Sequence, residues 1–199
     1  MIANTLYTIG HSNRSTEELV SMLKEYSIQF SVDIRANPYS SRFPHFSQDL
    51  LRESLNASGI EYHWAGRQLG GNREPSQADS HPALDGNSLK GFAEYMESSQ
   101  FEKAIVQLIN LASSDNTAIM CAEKSVSHCH RALISDYLTL KNIKVVHIVG
   151  PGHIVSHELS QLARTESTKL VYDRLINAPL KLHKLSALYW FCKTLDYLD

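Results

Sequence analysis

Short apolar runs that favour β-strands alternate along this chain with amphipathic helical patterns, and this alternation constrains the fold most. The runs are Leu6–Gly10, Phe30–Ile34, Ile60–Trp64, Thr117–Cys121 and Val145–Val149. Helical periodicity separates them; in the first helix it comprises Leu19, Met22, Leu23 and Tyr26. Alternating strands and helices form crossover units with a mainly parallel sheet. We therefore predict an α/β fold, a single Rossmann-like three-layer domain whose mainly parallel sheet is flanked by helices.

Capping signals mark the helix ends. The segment Ser15–Glu18 has the S-x-x-E pattern of a capping box, which predicts that the first helix begins there. Ser47 is predicted to cap the second helix and Gly59 to end it. Two further helices are predicted, one over Phe92–Ala112 and one over Arg131–Leu140.

The length of 199 residues fits one domain of ordinary size. We predict an α/β core over residues 1–150, in which residues 65–90 form a long loop rich in Gly, Asn, Ser, Asp and Pro. Residues 151–199 are predicted to be a helical C-terminal extension packed on this core. An apolar stripe near its end is expected to serve core packing or a dimer interface; it comprises Leu185, Leu188, Tyr189, Cys192 and Leu195.

Composition narrows the possible partners. The net charge of −2 and pI near 6.5 give no overall basic field, so nucleic acid can bind only through a local cleft. No apolar run approaches the roughly 18 residues of a membrane span, so no membrane partner is expected. The first residues lack a secretory signal pattern, and three cysteines are too few and too odd for a disulfide framework. We expect a cytoplasmic protein with reduced thiols.

Polar residues follow three of the predicted strands. They lie in the segments Gly10–Arg14, Asp33–Pro38 and Cys121–Arg131. In parallel α/β sheets, ligands bind beyond the carboxyl ends of the strands, where the loops and helix amino termini gather. The sequence therefore predicts one binding or active site where these three segments converge.

An anion site is the first interpretation of this edge. Arg35 and Arg131 have the guanidinium groups that hold phosphate or carboxylate. Ser12, with nearby backbone N–H groups, also suits an anion, and Asp33 completes the predicted substrate-binding set. Asp33 and Arg35 lie two apart, so they can instead form a structural ion pair.

A thiol site is the second interpretation. Cys129 and His130 lie at the start of the predicted helix, where the positive amino-terminal end of the helix dipole lowers the pKa of a thiol. The predicted catalytic residues are His11, Glu123, Cys129 and His130. A metal bound by Cys121, Cys129 and histidines is the third interpretation, but no standard ligand spacing is present, so no metal ligand is assigned. The fourth takes both cysteines as small buried apolar residues.

Several motifs together resemble the bacterial and archaeal family known as domain of unknown function 488. They are Tyr7–Ser12, Asp33–Arg35 with Pro38 and Ser40, Leu69–Gly71, Gly91–Met96, Met120–Glu123 and Cys129–Arg131. The resemblance spans about three quarters of the chain. It implies a compact Rossmann-like fold whose matched polar residues line one pocket, and it favours nucleotide or nucleic-acid substrates without implying a reaction.

These observations favour an enzyme with an anion pocket, a hydrolase or transferase acting on a phosphate-bearing, nucleotide or nucleic-acid substrate. Its partner is then a small-molecule or nucleotide-like ligand, and a dimer through the C-terminal helix is possible. Two alternatives stay open. One is a non-catalytic nucleotide or nucleic-acid binding module, and the other is a metal or thiol redox protein that uses Cys121 and Cys129.

Overall fold

The computed structural model describes residues 5–76, 80–167 and 169–174. Its strands are β1 Thr5–Gly10, β2 Phe30–Asp33, β3 Glu61–Trp64, β4 Thr117–Cys121, β5 Lys144–Gly150, β6 His153–Ser156, β7 Ala163–Glu166 and β8 Lys169–Tyr172. Its helices are α1 Thr16–Glu25, α2 Gln48–Ala57, α3 Gly66–Leu69, α4 Asn87–Tyr95, α5 Ser99–Ser114 and α6 His130–Leu140. None of these described helices is long and apolar enough to cross a membrane.

Six of the described strands form a mixed sheet in the order β3-β2-β4-β1-β5-β6, in which only β6 is antiparallel to its neighbour. Helices flank this sheet, and one apolar core lies on each of its faces. The predicted α/β class with a mainly parallel sheet is therefore confirmed. β2, β4 and β1 are adjacent, so the three predicted site segments leave the sheet side by side.

The capping box at Ser15 is present, since its hydroxyl accepts from the Glu18 N–H and the Glu18 carboxylate accepts from the Ser15 N–H. The prediction of one helix over Phe92–Ala112 was wrong in one respect, because this segment belongs to two helices, α4 and α5. The first ends at Tyr95, and Ser98 caps the second by accepting from the Phe101 N–H.

The helical prediction after residue 150 was wrong for the residues that the structure describes. β6 extends the main sheet, and β7 and β8 pair as a separate antiparallel hairpin. Long-range contacts hold this segment in place, since the Tyr172 hydroxyl donates to Asp136 on α6. The predicted stripe at residues 185–195 lies outside the described residues, so the division at residue 150 and the dimer stay predictions.

Candidate functional site

The three predicted segments meet around one cavity of about 610 Å³ at the carboxyl edge of the sheet. Six of the residues singled out from the sequence line it: His11, Arg35, Cys121, Glu123, Cys129 and His130. Residues from the described segments 71–76 and 80–89 also line it, among them Gly71, Asn72, Leu84 and Ser88. A cavity of this size matches a drug-sized or nucleotide-sized molecule.

Backbone hydrogen bonds beyond the strand ends hold two of the segments together. The N–H groups of His11 and Ser12 donate to the carbonyls of Cys121 and Ala122. Gly10 permits this approach, because a Cβ there would lie 1.9 Å from the carbonyl oxygen of Glu123. Ser12 itself has a positive φ of 52° and does not line the cavity.

Arg35 forms a buried ion pair with Asp33. Its Nη2 lies 2.6 Å from Oδ2 of Asp33, and Nε donates to the same carboxylate. Its Nη1 donates to the Phe46 carbonyl at 2.8 Å. Tyr62, which the sequence analysis did not single out, donates its hydroxyl to Asp33 at 2.7 Å. Every nitrogen of this guanidinium therefore already serves an acceptor of the protein.

His11 has both ring nitrogens engaged. Nδ1 lies 3.0 Å from the carbonyl oxygen of Ser12, so it carries the hydrogen, and Nε2 accepts from Arg35 at 3.3 Å. Burial, together with the positive charge of Arg35, lowers the pKa of His11 to about 4. The imidazole is thus neutral at pH 7, and it packs on the ring of Phe46 with centroids 4.0 Å apart.

Cys129 is the N-cap residue of α6, and its sulfur is surrounded by donors. The N–H and Nε of Arg131 lie 3.5 and 3.4 Å from Sγ. The Cys121 thiol lies 2.8 Å away. The hydrogen bond from Cys121, together with His130 and the positive charge of Arg131, lowers the pKa of Cys129 well below its usual value. The contact with Cys129, together with burial, raises the pKa of Cys121. Cys129 is therefore the thiolate of the pair.

His130 lies between the thiolate and a backbone acceptor. Its Nε2 is 3.2 Å from the Ile34 carbonyl oxygen, so this nitrogen carries a hydrogen. Nδ1 lies 3.7 Å from Sγ of Cys129 and donates to the thiolate when the ring is an imidazolium, with a hydrogen on each nitrogen. Gly71 leaves room for the ring, since a Cβ there would lie 2.9 Å from Nδ1. The geometry is that of a cysteine–histidine pair in which a third group orients the base.

Arg131 is 1% exposed and does not line the cavity. Besides contacting Cys129, its Nη2 donates to the carbonyl oxygen of Glu123. Glu123 is exposed and is one of the residues that line the cavity. Asp33, fully buried, lies behind Arg35 and away from the cavity lining.

Cys121, Cys129 and His130 form a possible metal-ligand group, because one ligand atom from each lies within 4.8 Å of the others. Two thiolates and an imidazole suit Zn²⁺ or another soft cation. The spacing of two sulfurs at 2.8 Å is well below what two ligands of one metal ion adopt at Zn–S bonds of about 2.3 Å in tetrahedral geometry. The present arrangement therefore fits a thiol–thiolate contact better than a metal centre.

The model of the family described as domain of unknown function DUF488 matches residues 15–138. The chain belongs to this family. A search of curated proteins and a search of solved structures each found no match. The matched residues run from α1 to most of α6, so they include the ends of β2 and β4 and the cysteine–histidine pair but not β1 or His11, and the family assigns no reaction to them.

Proposed function

We propose that this DUF488 protein is an enzyme in which the Cys129 thiolate attacks a nucleotide-like small molecule bound in the 610 Å³ cavity. The observation that carries the proposal is the donor set around Sγ: the Arg131 N–H and guanidinium, the Cys121 thiol and the His130 imidazole. A thiolate that is stabilised this way at a cavity wall is the usual form of a catalytic cysteine.

The reaction class is group transfer or hydrolysis through a covalent intermediate. Sγ of Cys129 forms a bond to an electrophilic carbon of the substrate, and the bond from that carbon to the leaving group breaks. The leaving group takes a proton from the His130 imidazolium, whose Nδ1 faces Sγ of Cys129. Water or an acceptor then displaces the sulfur, with the same base removing its proton.

The arginines predicted to hold a substrate anion have a different part in this proposal. Arg131 contacts the Cys129 thiolate and Arg35 pairs with Asp33, so both serve anions of the protein itself. The carboxylates of Glu123 and Asp85 line the same cavity. We therefore expect the base and sugar of a nucleotide-like ligand to contribute more to binding than its phosphate, with the exposed Tyr39 ring as a stacking surface.

The first experiment measures the rate of iodoacetamide alkylation at Cys129 from pH 8 to pH 6, resolved by peptide mass spectrometry. Alkylation of a thiol with a pKa of ~8.5 slows by roughly two orders of magnitude from pH 8 to pH 6, because the fraction of thiolate falls. We expect the rate at Cys129 to change less than about threefold. The variant His130→Ala, which removes one donor, is expected to restore part of the pH dependence. A rate at Cys129 that follows the ordinary thiol profile would contradict the proposal.

The second experiment tests for catalysis and ligand class together. Nucleosides and their monophosphates are compared as protectants of Cys129 and as substrates, and acid-quenched protein is weighed for a covalent adduct. We expect protection by nucleosides at least equal to that by monophosphates, and an adduct that is absent from Cys129→Ser. Protection without turnover or adduct for any compound would favour the non-catalytic binding module instead.

A further inference from the structure

A second thiol lies against the proposed nucleophile. Cys121 ends β4 and Cys129 precedes α6, and their sulfur atoms are 2.8 Å apart. Both are free cysteines, and both are almost fully buried, at 2% and 3% exposure. Nucleophilic attack by Cys129 on a carbon substrate does not require a thiol at this position, so the pairing calls for its own explanation.

The two sulfurs are placed for bond formation. A disulfide has an S–S bond of about 2.05 Å, so closure needs an approach of less than about 1 Å. The segment that joins the cysteines, residues 122–128, is mostly exposed and has no regular helix or strand. Cys129 at the N-cap can therefore move towards Cys121 at the strand end without breaking the sheet ladder or the helix.

Access to the pair is limited to small molecules. Both cysteines line the cavity although little of either is exposed, so an oxidant reaches them through the cavity. Their environments also differ. The Sγ of Cys129 faces the N–H groups of Arg131 and the imidazole of His130, whereas that of Cys121 accepts from the N–H of Glu123 at 3.4 Å. This asymmetry gives one attacking and one resolving thiol.

We propose that Cys121 and Cys129 are a reversible dithiol–disulfide pair that is oxidised by small hydroperoxides, with Cys129 as the attacking thiol and Cys121 as the resolving thiol. The inference rests on the proposed thiolate at Cys129 and adds a second reaction of the same site. Formation of the disulfide removes the nucleophile, and a low-molecular-weight thiol restores it by exchange.

The oxidation takes two steps. The Cys129 thiolate attacks an oxygen of the hydroperoxide, an S–O bond forms as the O–O bond breaks, and the leaving oxygen takes up a proton to depart as water or an alcohol. The Cys121 sulfur then attacks Sγ of the resulting sulfenic acid, an S–S bond forms as the S–O bond breaks, and water leaves with the Cys121 proton. Two electrons pass from the two thiols to the hydroperoxide.

The test uses the full chain with Cys192→Ser, which removes the third thiol, treated with hydrogen peroxide and analysed by intact mass and peptide mapping. We expect the loss of two hydrogen atoms, a Cys121–Cys129 cross-linked peptide, and full reversal by dithiothreitol. In Cys121→Ser, Cys129 is expected to gain oxygen atoms instead, because no resolving thiol is present. In Cys129→Ser, oxidation at Cys121 is expected to be at least about tenfold slower.

The outcome that overturns the inference is addition of oxygen to Cys129 at the same rate with and without Cys121, and no cross-link. Peptide mapping of the Cys192→Ser protein alone decides this if the other variants fail to fold. Alkylation at Cys129 separates the two proposals. Fast alkylation at pH 6 without a cross-link would contradict only the proposal of a dithiol–disulfide pair. Slow alkylation at pH 6 would contradict the proposed role of Cys129 as a nucleophile as well.

Discussion

Gly71 controls the position of the base in the proposed cysteine–histidine pair. In Gly71→Ala the new Cβ would lie 2.9 Å from Nδ1 of His130, so the ring must shift from its present position beside Cys129. We expect alkylation at Cys129 to slow by about tenfold at pH 6 with the fold retained. Gly150→Ala is the matched control, because a Cβ at Gly150 meets no heavy atom of the described residues within 4 Å. Equal rates in both variants would contradict the role of His130.

Asp33 supplies the counter-charge of a buried guanidinium. In Asp33→Asn, Arg35 keeps its position but loses its charged partner, and the Tyr62 hydroxyl loses a charged acceptor. Removing one member of a buried pair costs about 3–5 kcal/mol, and we expect a loss of this size in urea unfolding. The control is Asp49→Asn, which breaks the exposed pair with Arg52 and should cost about 0–1 kcal/mol. Similar losses of stability in the two variants would show that the buried Asp33–Arg35 pair contributes no more than the exposed Asp49–Arg52 pair.

The sequence predicts which residues meet at the site better than it predicts what each one contacts. Strand ends that carry polar residues identified the edge, and the two-residue spacing of Asp33 and Arg35 allowed for their ion pair. Three contacts of the site could not be predicted because each partner lies on or just after a different strand. These contacts are the hydrogen bond from Arg35 to His11, that from His130 to the Ile34 carbonyl and that from the Tyr62 hydroxyl to Asp33. Such partners depend on strand order and register, which local periodicity does not contain.

At the scale of elements, strands β1 to β5 were predicted within one or two residues because each is a short run of residues that favour β-structure, bounded by turn residues, and all of them except β3 are mostly buried. The strands β6 to β8 were missed. All four residues of β6 are exposed, and β7 has one buried residue, so neither shows an apolar alternation. Their conformation depends on tertiary contacts, which override weak local preference.

A chain of buried hydrogen bonds fixes the segment after β6 to α6. Asp136 accepts from Nε2 of His157. When His157 is neutral, its Nδ1 accepts from Nε2 of His147, and Nδ1 of His147 then accepts from the Thr8 hydroxyl. The Tyr172 hydroxyl donates to the other carboxylate oxygen of Asp136. This network joins the centre of the sheet, α6 and the β7–β8 hairpin.

We expect Tyr172→Phe to loosen this hairpin. The change removes a hydrogen bond to a buried carboxylate, and we expect a cost of about 1–3 kcal/mol. Because the Tyr172 carbonyl accepts from the Ala83 N–H, hydrogen exchange should rise in residues 81–84 as well as in β7 and β8. The exposed Tyr39→Phe serves as control and should leave exchange unchanged. Unchanged exchange in Tyr172→Phe would show that the hydroxyl does not hold the hairpin.

For the part of the molecule that the structure describes, three buried histidines with a lowered pKa make stability depend on pH, namely His11, His81 and His147. Burial, with Arg35 near one and His157 near the other, lowers the pKa of His11 and of His147 to about 4 each. Between this value and the unfolded pKa of ~6.5 the unfolded chain binds more protons, so stability rises with pH across that window. The contribution is complete above about pH 6.5 and is lost as the pH falls towards 4.

We therefore expect the free energy of unfolding in urea to fall by a few kcal/mol between pH 7 and pH 5. Each unit of difference between the folded and unfolded pKa of a group corresponds to ~1.4 kcal/mol. His147→Gln keeps a hydrogen-bonding side chain without a titrating group, so it should reduce this dependence by about half and leave the part that His11 contributes. His63→Gln, at a partly exposed histidine, should leave it as in the parent protein. A parent protein whose stability is the same at pH 7 and pH 5 would mean that these imidazoles titrate alike in the folded and unfolded chain, and the direction of the Thr8–His147–His157 hydrogen bonds at pH 5 would then have to be reassigned.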